Sequence, residues 1–351
     1  MRYITASLRA LLLMATALLL VSCGDNKANS VISQLSGETM GTFWHVRLAA
    51  PLDAPAQAAL QRRIDVALEA VNDSMSTYRD QSELMRFNHS TATTPQPVSD
   101  GMRRVVGKAL EISAQSDGVY DITVGPLVNL WGFGPIKRQD KPADSEIAEA
   151  LQHVGYGKLQ LTDAGLAKSD PQVFIDLSSI AKGYGVDVVA ETLLDAGYTN
   201  FIVEIGGEVH ASGSKYGAPW RVGIERPEQG LATGEGVENI IAMNEKLPAM
   251  ATSGNYRQYA ERGGEMAYHI VDPRDGRSHS SRLLSATVLA PDCMTADGYA
   301  TALMVLGDEK ALEFADRYGL AAELILAGDD KQPFIIERSR AFRAAVQEEK
   351  P

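Results

Sequence analysis

Three short stretches of this chain carry residue types that could do chemistry together. The first is Asp176-Leu-Ser-Ser-Ile-Ala-Lys182-Gly183-Tyr184-Gly185. It reads as a strand ending at Asp176 and a helix starting near Ser178. The free amides of a helix start suit an anionic group, and Lys182 in the first turn adds a full positive charge. Simple capping beside an exposed lysine would leave the same trace. The second is Met294-Thr295-Ala296-Asp297-Gly298-Tyr299-Ala300-Thr301. Asp297 and Thr301, spaced i, i+4, put a carboxylate and a hydroxyl on one helix face. That pair is a partial shell for Mg²⁺, a hard cation that takes its other ligands from water and phosphates. Alternatively, Asp297 serves the helix terminus and Thr301 does nothing special. The third is Tyr268-His269-Ile270-Val271-Asp272-Pro273. A histidine where a strand runs into a Pro/Gly turn is placed for general-base work near neutral pH, although a lone histidine also serves structure.

Other stretches are rich in small or special residues: Thr39-Met40-Gly41-Thr42, Ser76-Thr77-Tyr78-Arg79, Gly118 through Pro126, Glu204 through Glu208, and Ala251 through Tyr256. Their glycines serve either turns and bulges or the close approach of backbone to a large flat ligand. Several chemistries are absent. There is no P-loop, G-x-S-x-G elbow or H-E-x-x-H. The histidines are scattered singly, and Gly206-Gly207 lacks the spacing of a dinucleotide fingerprint.

Helices and strands must carry these residues. Leu60, Ile64, Leu68, Val71 and Met75 recur at helical spacing behind Pro55. A second helix is predicted over Asp100–Ser116, stopping at Asp117-Gly118. A third has Ile180, Tyr184, Val188, Val189 and Leu193 on one face, Ser178 or Ser179 as cap and Gly197 as stop. Two more fall at Thr295–Leu306 and Asp308–Tyr318, before Gly319. Strand-like runs are Phe43–Ala49, Val173–Asp176, Phe201–Ile205, Trp220–Ile224, Tyr268–Val271, Ser285–Ala290, Glu323–Ala327 and Phe334–Glu337. Strands outnumber helices without alternating strictly with them, which favours α+β over a doubly wound sheet. Gly230–Gly236 and Pro135–Pro142 read as surface loops.

The N-terminus reads as a targeting segment. Arg2 and Arg9 precede an apolar run from Ala10 to Val21, too short for a mature transmembrane helix and typical of a secretory signal. Leu20-Val21-Ser22-Cys23-Gly24 resembles a bacterial lipobox, in which the cysteine is lipidated and becomes the mature N-terminus. Residues 1–22 then form the signal, 23–35 a lipid-anchored tether, and 36–345 the folded body. Loss of the signal takes two arginines and no acid, moving the net charge from −12 to −14. Such an acidic chain lacks the Lys/Arg surface that nucleic-acid binding needs. Cys293 is the only other cysteine; no disulfide framework exists, and a buried, inert thiol is expected.

Taken in order, these segments resemble the ApbE family, bacterial FAD:protein FMN transferases. The markers are Thr-Met-Gly-Thr at 39–42, Met-Ser-Thr-Tyr at 75–78, Tyr-Asp-Ile-Thr-Val-Gly-Pro at 120–126, Asp-Leu-Ser-Ser-Ile-Ala-Lys-Gly-Tyr at 176–184, Ile-Gly-Gly-Glu at 205–208, Thr-Ser-Gly at 252–254, His-Ile-Val-Asp-Pro at 269–273 and Ala-Asp-Gly at 296–298. The resemblance implies an α+β, T-fold-related architecture of antiparallel sheets flanked by helices, with FAD in a cleft between two subdomains. It implies Mg²⁺-dependent transfer of the FMN half of FAD to a Thr or Ser hydroxyl of an acceptor protein, releasing AMP. FAD would meet Met40, Tyr78, Val119, Tyr120, Asp121, Asp176, Lys182 and Ile270. Mg²⁺ would take Asp297, Thr301 and the Ser179 carbonyl, and His269 would be the base. Many relatives carry Asp where this chain has Glu208, which leaves that residue's role open. The implied acceptors are flavoprotein subunits of membrane electron-transport or sodium-pumping complexes, met by a protein lipidated at Cys23 on the periplasmic side of the inner membrane. A lipoprotein that stores FAD, or a pyrophosphatase that splits it into FMN and AMP, is the alternative.

Overall fold

A computed structural model describes residues 31–227, 236–255, 259–278, 281–329 and 331–346. The signal segment, Cys23, most of the tether, Tyr256 and residues 230–235 of the predicted Gly230–Gly236 loop lie outside the described residues.

Strands β1 (Ser33–Thr39) and β2 (Thr42–Leu48) form an antiparallel hairpin, so ordered backbone begins inside the stretch assigned to the tether. The hairpin turns on Met40 and Gly41, whose φ values are 50° and 74°. Two consecutive positive φ values are what a tight type I′ turn demands. Helix α1 (Ala54–Met75) starts where the Asp53 side chain accepts from the Ala56 amide, and it buries the five apolar residues whose spacing announced it. Helices α2 (Glu83–His89) and α3 (Asp100–Gln115) are capped by Ser82 and Ser99. Beyond α3, Asp117 and Gly118 reverse the chain, both at positive φ.

Helices α4 (Gly125–Leu130) and α5 (Asp144–Leu151) precede a ribbon of β3 (Leu159–Thr162) and β4 (Gly165–Lys168). The predicted strand at Val173–Asp176 does not form. Other partners take its backbone. The Asn88 side chain holds both the N–H and the C=O of Ile175, at 2.8 and 2.9 Å. Asp176 N–H donates to the Ile122 carbonyl at 2.8 Å, and buried Lys168 donates to the Val173 carbonyl at 3.2 Å. Helix α6 (Ala181–Asp195) therefore starts later than expected, with Ile180 at the cap position and neither Ser178 nor Ser179 capping it.

The remaining elements are β5 (Phe201–Ile205), β6 (Glu208–Ser212), β7 (Arg221–Glu225), β8 (Val237–Ala242), β9 (Ala249–Gly254), β10 (Tyr259–Arg262), β11 (Glu265–Tyr268), β12 (Leu283–Ala290), α7 (Cys293–Tyr318), β13 (Ala321–Ala327), β14 (Phe334–Arg338) and α8 (Arg340–Ala345). The predicted strand at Tyr268–Val271 is displaced: β11 ends at Tyr268, and Val271 makes only an isolated bridge to Ser278. The two predicted C-terminal helices join as α7, kinked at Gly307, where φ is 73° and ψ is −175°.

Eight strands form one antiparallel sheet in the order β1-β2-β5-β6-β9-β12-β13-β14, flanked by ribbons β3–β4, β7–β8 and β10–β11. The α+β expectation holds. One face packs on α1, α6 and α7 through residues such as Val46, Val203, Ala251 and Val288, and α3 packs in turn on α7. Met250, Leu289 and Ile325 point the other way, beneath Trp220, Ile224, Ile241 and Phe342. One pairing is short. β6 and β9 share only Val209↔Met250 and His210↔Ala249, and then part.

Helix α7 enters the core under the control of α6. Asp187 of α6, 3% exposed, accepts from the Cys293 and Met294 amides at 2.8 and 2.9 Å. Cys293 is fully buried, as its sequence context suggested, and burial pushes its thiol pKa up. Asp187→Ala would leave two buried amides unpaired, and unsatisfied buried groups cost about 1–3 kcal/mol each. Urea unfolding of this variant is expected to show a loss of at least about 2 kcal/mol on that basis, with Asp187→Asn losing less. Equal stability to the native chain would refute the cap.

Candidate active site

The parting of β6 from β9 opens a cavity of about 840 Å³. Gly206 to Val209 line one side of the fork and Thr252 to Gly254 the other. Helices α6 and α7 supply Lys182, Asp297 and Thr301, and the β1–β2 turn supplies Met40. All twelve described residues that the sequence nominated for FAD, Mg²⁺ or base chemistry line this cavity. Segments far apart in the chain thus meet at one point.

Their local settings differ from the sequence picture in several ways. The amides around residue 180 are largely engaged. Ser178 N–H donates to the Asp176 carboxylate, Ile180 and Ala181 N–H to the Leu177 carbonyl, and Gly183 N–H to Asp297 Oδ2. The helix start is therefore not bare, and the positive charge it brings to the cavity is the Lys182 ammonium. The Asp121 carboxylate is also spent: it accepts from Thr123 N–H, Thr123 Oγ1 and Tyr156 N–H at 2.8, 2.6 and 2.6 Å. Burial raises its pKa against the pull of those donors. Asp121 shapes the loop and lines the cavity together with the neighbouring Val119 and Tyr120. The Tyr120 hydroxyl shares a 2.9 Å hydrogen bond with Ser179 Oγ, and burial lifts its pKa.

The floor holds the charge. Asp297 and Glu208 are each 3% exposed, and Lys182 lies between them. Its Nζ is in direct contact with Glu208 Oε1 and 3.9 Å from Asp297 Oδ1. Glu208 Oε2 is buried with no hydrogen-bond partner. Burial pushes the Glu208 and Asp297 carboxyls up, Glu208 to about 7, against the opposing pull of Lys182. Burial by itself would lower the Lys182 ammonium, but Asp297 and Glu208 outweigh it and hold it high. Two buried carboxylates thus share one ammonium, and the surplus negative charge makes a second cation welcome. The oxygen donors at hand are of the kind Mg²⁺ takes: the Asp297 carboxylate, the Thr301 hydroxyl, which shares a 3.1 Å hydrogen bond with Ser253, and the Ser179 carbonyl.

His269 is half-buried on the bend after β11 rather than inside a strand. Phe133 meets its ring edge-on, with centroids 6.4 Å apart, and Arg262 lies 5.8 Å over the other ring. Exposed Tyr78 reaches the Phe133 carbonyl at 3.4 Å. The sequence reading missed Phe133; only its glycine neighbours, Gly132 and Gly134, hinted at a special turn. It also missed Asp187, whose signal was an acid on the apolar stripe of α6, one turn after Gly183.

The model of the ApbE family matches residues 40–324. The chain belongs to the ApbE family. It is 44% identical over 345 residues to the FAD:protein FMN transferase of Haemophilus influenzae, covering 95% of this chain and 96% of that protein. The crystallised flavin transferase ApbE of Vibrio cholerae superposes with a TM-score of 0.79 at 42% identity, covering 90% of this chain and 100% of that one. The apo flavinyl transferase ApbE of Pseudomonas stutzeri gives a TM-score of 0.80 at 35% identity over 90% of this chain and 96% of that one. The family's mixed helix and antiparallel-sheet architecture is therefore that of this chain.

One glycine makes this family site possible here. A Cβ on Gly183 would sit 2.4 Å from the Cys293 carbonyl oxygen and 2.8 Å from Asp297 Cβ, so α6 and α7 could not approach as they do. Gly183→Ala is expected to cost about 1–3 kcal/mol in urea unfolding. Gly157→Ala, whose Cβ would meet nothing within 4 Å, should stay within about 0.5 kcal/mol of the native chain. Equal effects would show that the α6–α7 contact is not tight.

Proposed function

We propose that this chain is an FAD:protein FMN transferase, moving the FMN half of FAD onto a Thr or Ser hydroxyl of an acceptor protein and releasing AMP. The observation that carries the reading is the meeting of His269, Lys182, Asp297 and Thr301 around one cavity of about 840 Å³, within the range of about 300–1,000 Å³ usual for cofactor-sized ligands. The names of the relatives agree with it.

The reaction exchanges one P–O bond for another. The acceptor oxygen bonds to the phosphorus on the flavin side of the pyrophosphate. The bond from that phosphorus to the bridging oxygen breaks, and AMP leaves with that oxygen. Such a transfer needs positioning, charge neutralisation and a nucleophile relieved of its proton. A ring nitrogen of His269 takes the hydroxyl proton, a contribution of about 10²–10⁴ in rate. Lys182, fixed at the start of α6, sets a positive charge beside the phosphates. Mg²⁺ held by Asp297, Thr301 and the Ser179 carbonyl would neutralise further charge on the pyrophosphate. Met40, Tyr78 and Val119 give the flavin an apolar wall, and Phe133 limits the swing of the His269 ring and keeps water from it.

The decisive test incubates the full chain with FAD, Mg²⁺ and a Thr-containing acceptor and weighs the products. Covalent FMN on the acceptor supports transfer. Free FMN with AMP, or intact FAD, overturns it in favour of hydrolysis or storage. His269→Ala should lower transfer by about 10²-fold or more while leaving FAD binding in place, and an unchanged rate would remove the histidine from the mechanism.

The N-terminal reading belongs to the same proposal. Residues 1–22 direct export, Cys23 carries lipid, and the body stands on the periplasmic side of the inner membrane beside flavoprotein subunits of electron-transport or sodium-pumping complexes. One lipidated residue then decides where the protein is found. Cys23→Ala is expected to shift it from the membrane pellet to a soluble fraction, and a variant that still pellets with membranes would contradict the anchor.

A further inference from the structure

Glu208 lies beyond the residues assigned above to FAD, Mg²⁺ or proton transfer, yet it is nearly as buried as any group in the cavity. It opens β6 directly after Gly206 and Gly207, whose φ values of 61° and 109° turn the chain sharply, and its backbone pairs with Ile205. The carboxylate is thereby fixed at the fork. One oxygen contacts Lys182 Nζ; the other has no partner.

The geometry of Asp297 explains why this matters. Its Oδ2 accepts from Gly183 N–H at 2.9 Å, which leaves Oδ1 as the oxygen free to bind a cation. Lys182 Nζ stands 3.9 Å from that same Oδ1. The ammonium and a metal ion therefore compete for one atom. A buried ammonium needs a counter-charge, and a small rotation of the lysine side chain would close the gap to contact. What holds the ammonium back is its contact with Glu208.

We infer that Glu208 is a positioning residue that keeps the Lys182 ammonium off Asp297 Oδ1, so that oxygen stays open to Mg²⁺ while the ammonium faces the phosphates. The inference rests on the Mg²⁺ reading given under the proposed function. It assigns Glu208 no contact with metal or substrate; the residue acts through Lys182. An aspartate at the same position would keep the charge.

A double-mutant cycle on the full chain in detergent tests this, read by calorimetric titration with Mg²⁺ alone, free of FAD. Glu208→Gln is isosteric and removes only the charge. With Lys182 present, it should weaken Mg²⁺ binding by about tenfold, because the released ammonium occupies Asp297. With Lys182→Met in the background, the same change should cost less than about twofold. Equal losses in both backgrounds would overturn the inference, since a direct ligand, a general charge effect or a folding defect would act with or without the lysine. A native chain that binds no Mg²⁺ would overturn the metal reading itself, and this inference with it. A native chain that binds Mg²⁺ but gives an additive cycle removes only the role of Glu208.

Discussion

The approach of α6 to α7 at Gly183 is the constraint on which the rest of this structure depends. A residue without a side chain lets the two helices touch, and its amide binds the carboxylate of Asp297 directly. One turn later Asp187 holds the first two amides of α7. These contacts set the depth, direction and rotation of α7, and with them the places of Asp297 and Thr301. The sheet supplies the opposite wall, because Ser253 on β9 reaches Thr301. Neither helix positions the acid alone.

Charge is handled by sharing rather than by pairing. A deep pocket with two carboxylates and one ammonium is not an arrangement selected for stability, since burying ions is costly unless their geometry is satisfied. Here one carboxylate oxygen has no hydrogen-bond partner, and burial raises the pKa of both acids. Such tension is characteristic of a site whose remaining partners arrive from outside. Some buried polar groups away from the cavity are fully engaged. Asn88 closes a pair of hydrogen bonds on Ile175, and Lys168, far from any reaction, is held by two carbonyls and the face of Phe87.

Much of this was legible in the sequence, for reasons that can be named. The face of α1 was plain because five apolar residues repeat at helical spacing and all five are buried. The site residues were legible mainly as a set of motifs in order; taken singly, neither Lys182 nor His269 differed from a structural residue. Local spacing failed where tertiary partners decide. Val173–Asp176 has strand-like residues, but Asn88, Lys168 and Ile122 take its backbone. Ser178 and Ser179 look like helix caps, but Ser179 turns to Tyr120 instead. Asp121 lines the cavity as its motif suggested, but its second role as a brace for its own loop needs Thr123 and Tyr156 and has no local signature. Phe133 and Asp187 act through contacts with residues more than a hundred positions away, which no local pattern encodes.

The fork between β6 and β9 has a consequence for solubility. A strand that ends its pairing early normally offers its backbone to any other extended chain, and exposed edges of that kind seed aggregation. Here the loose edge at Thr252 to Gly254 faces into the cavity, across from Gly206 and Gly207 and above the charged floor. A flat strand from a neighbouring molecule would have to enter that recess to add itself to the sheet, and it would meet uncompensated acids when it did. The same hollow that admits a cofactor-sized molecule therefore screens the weakest seam of the sheet from self-association.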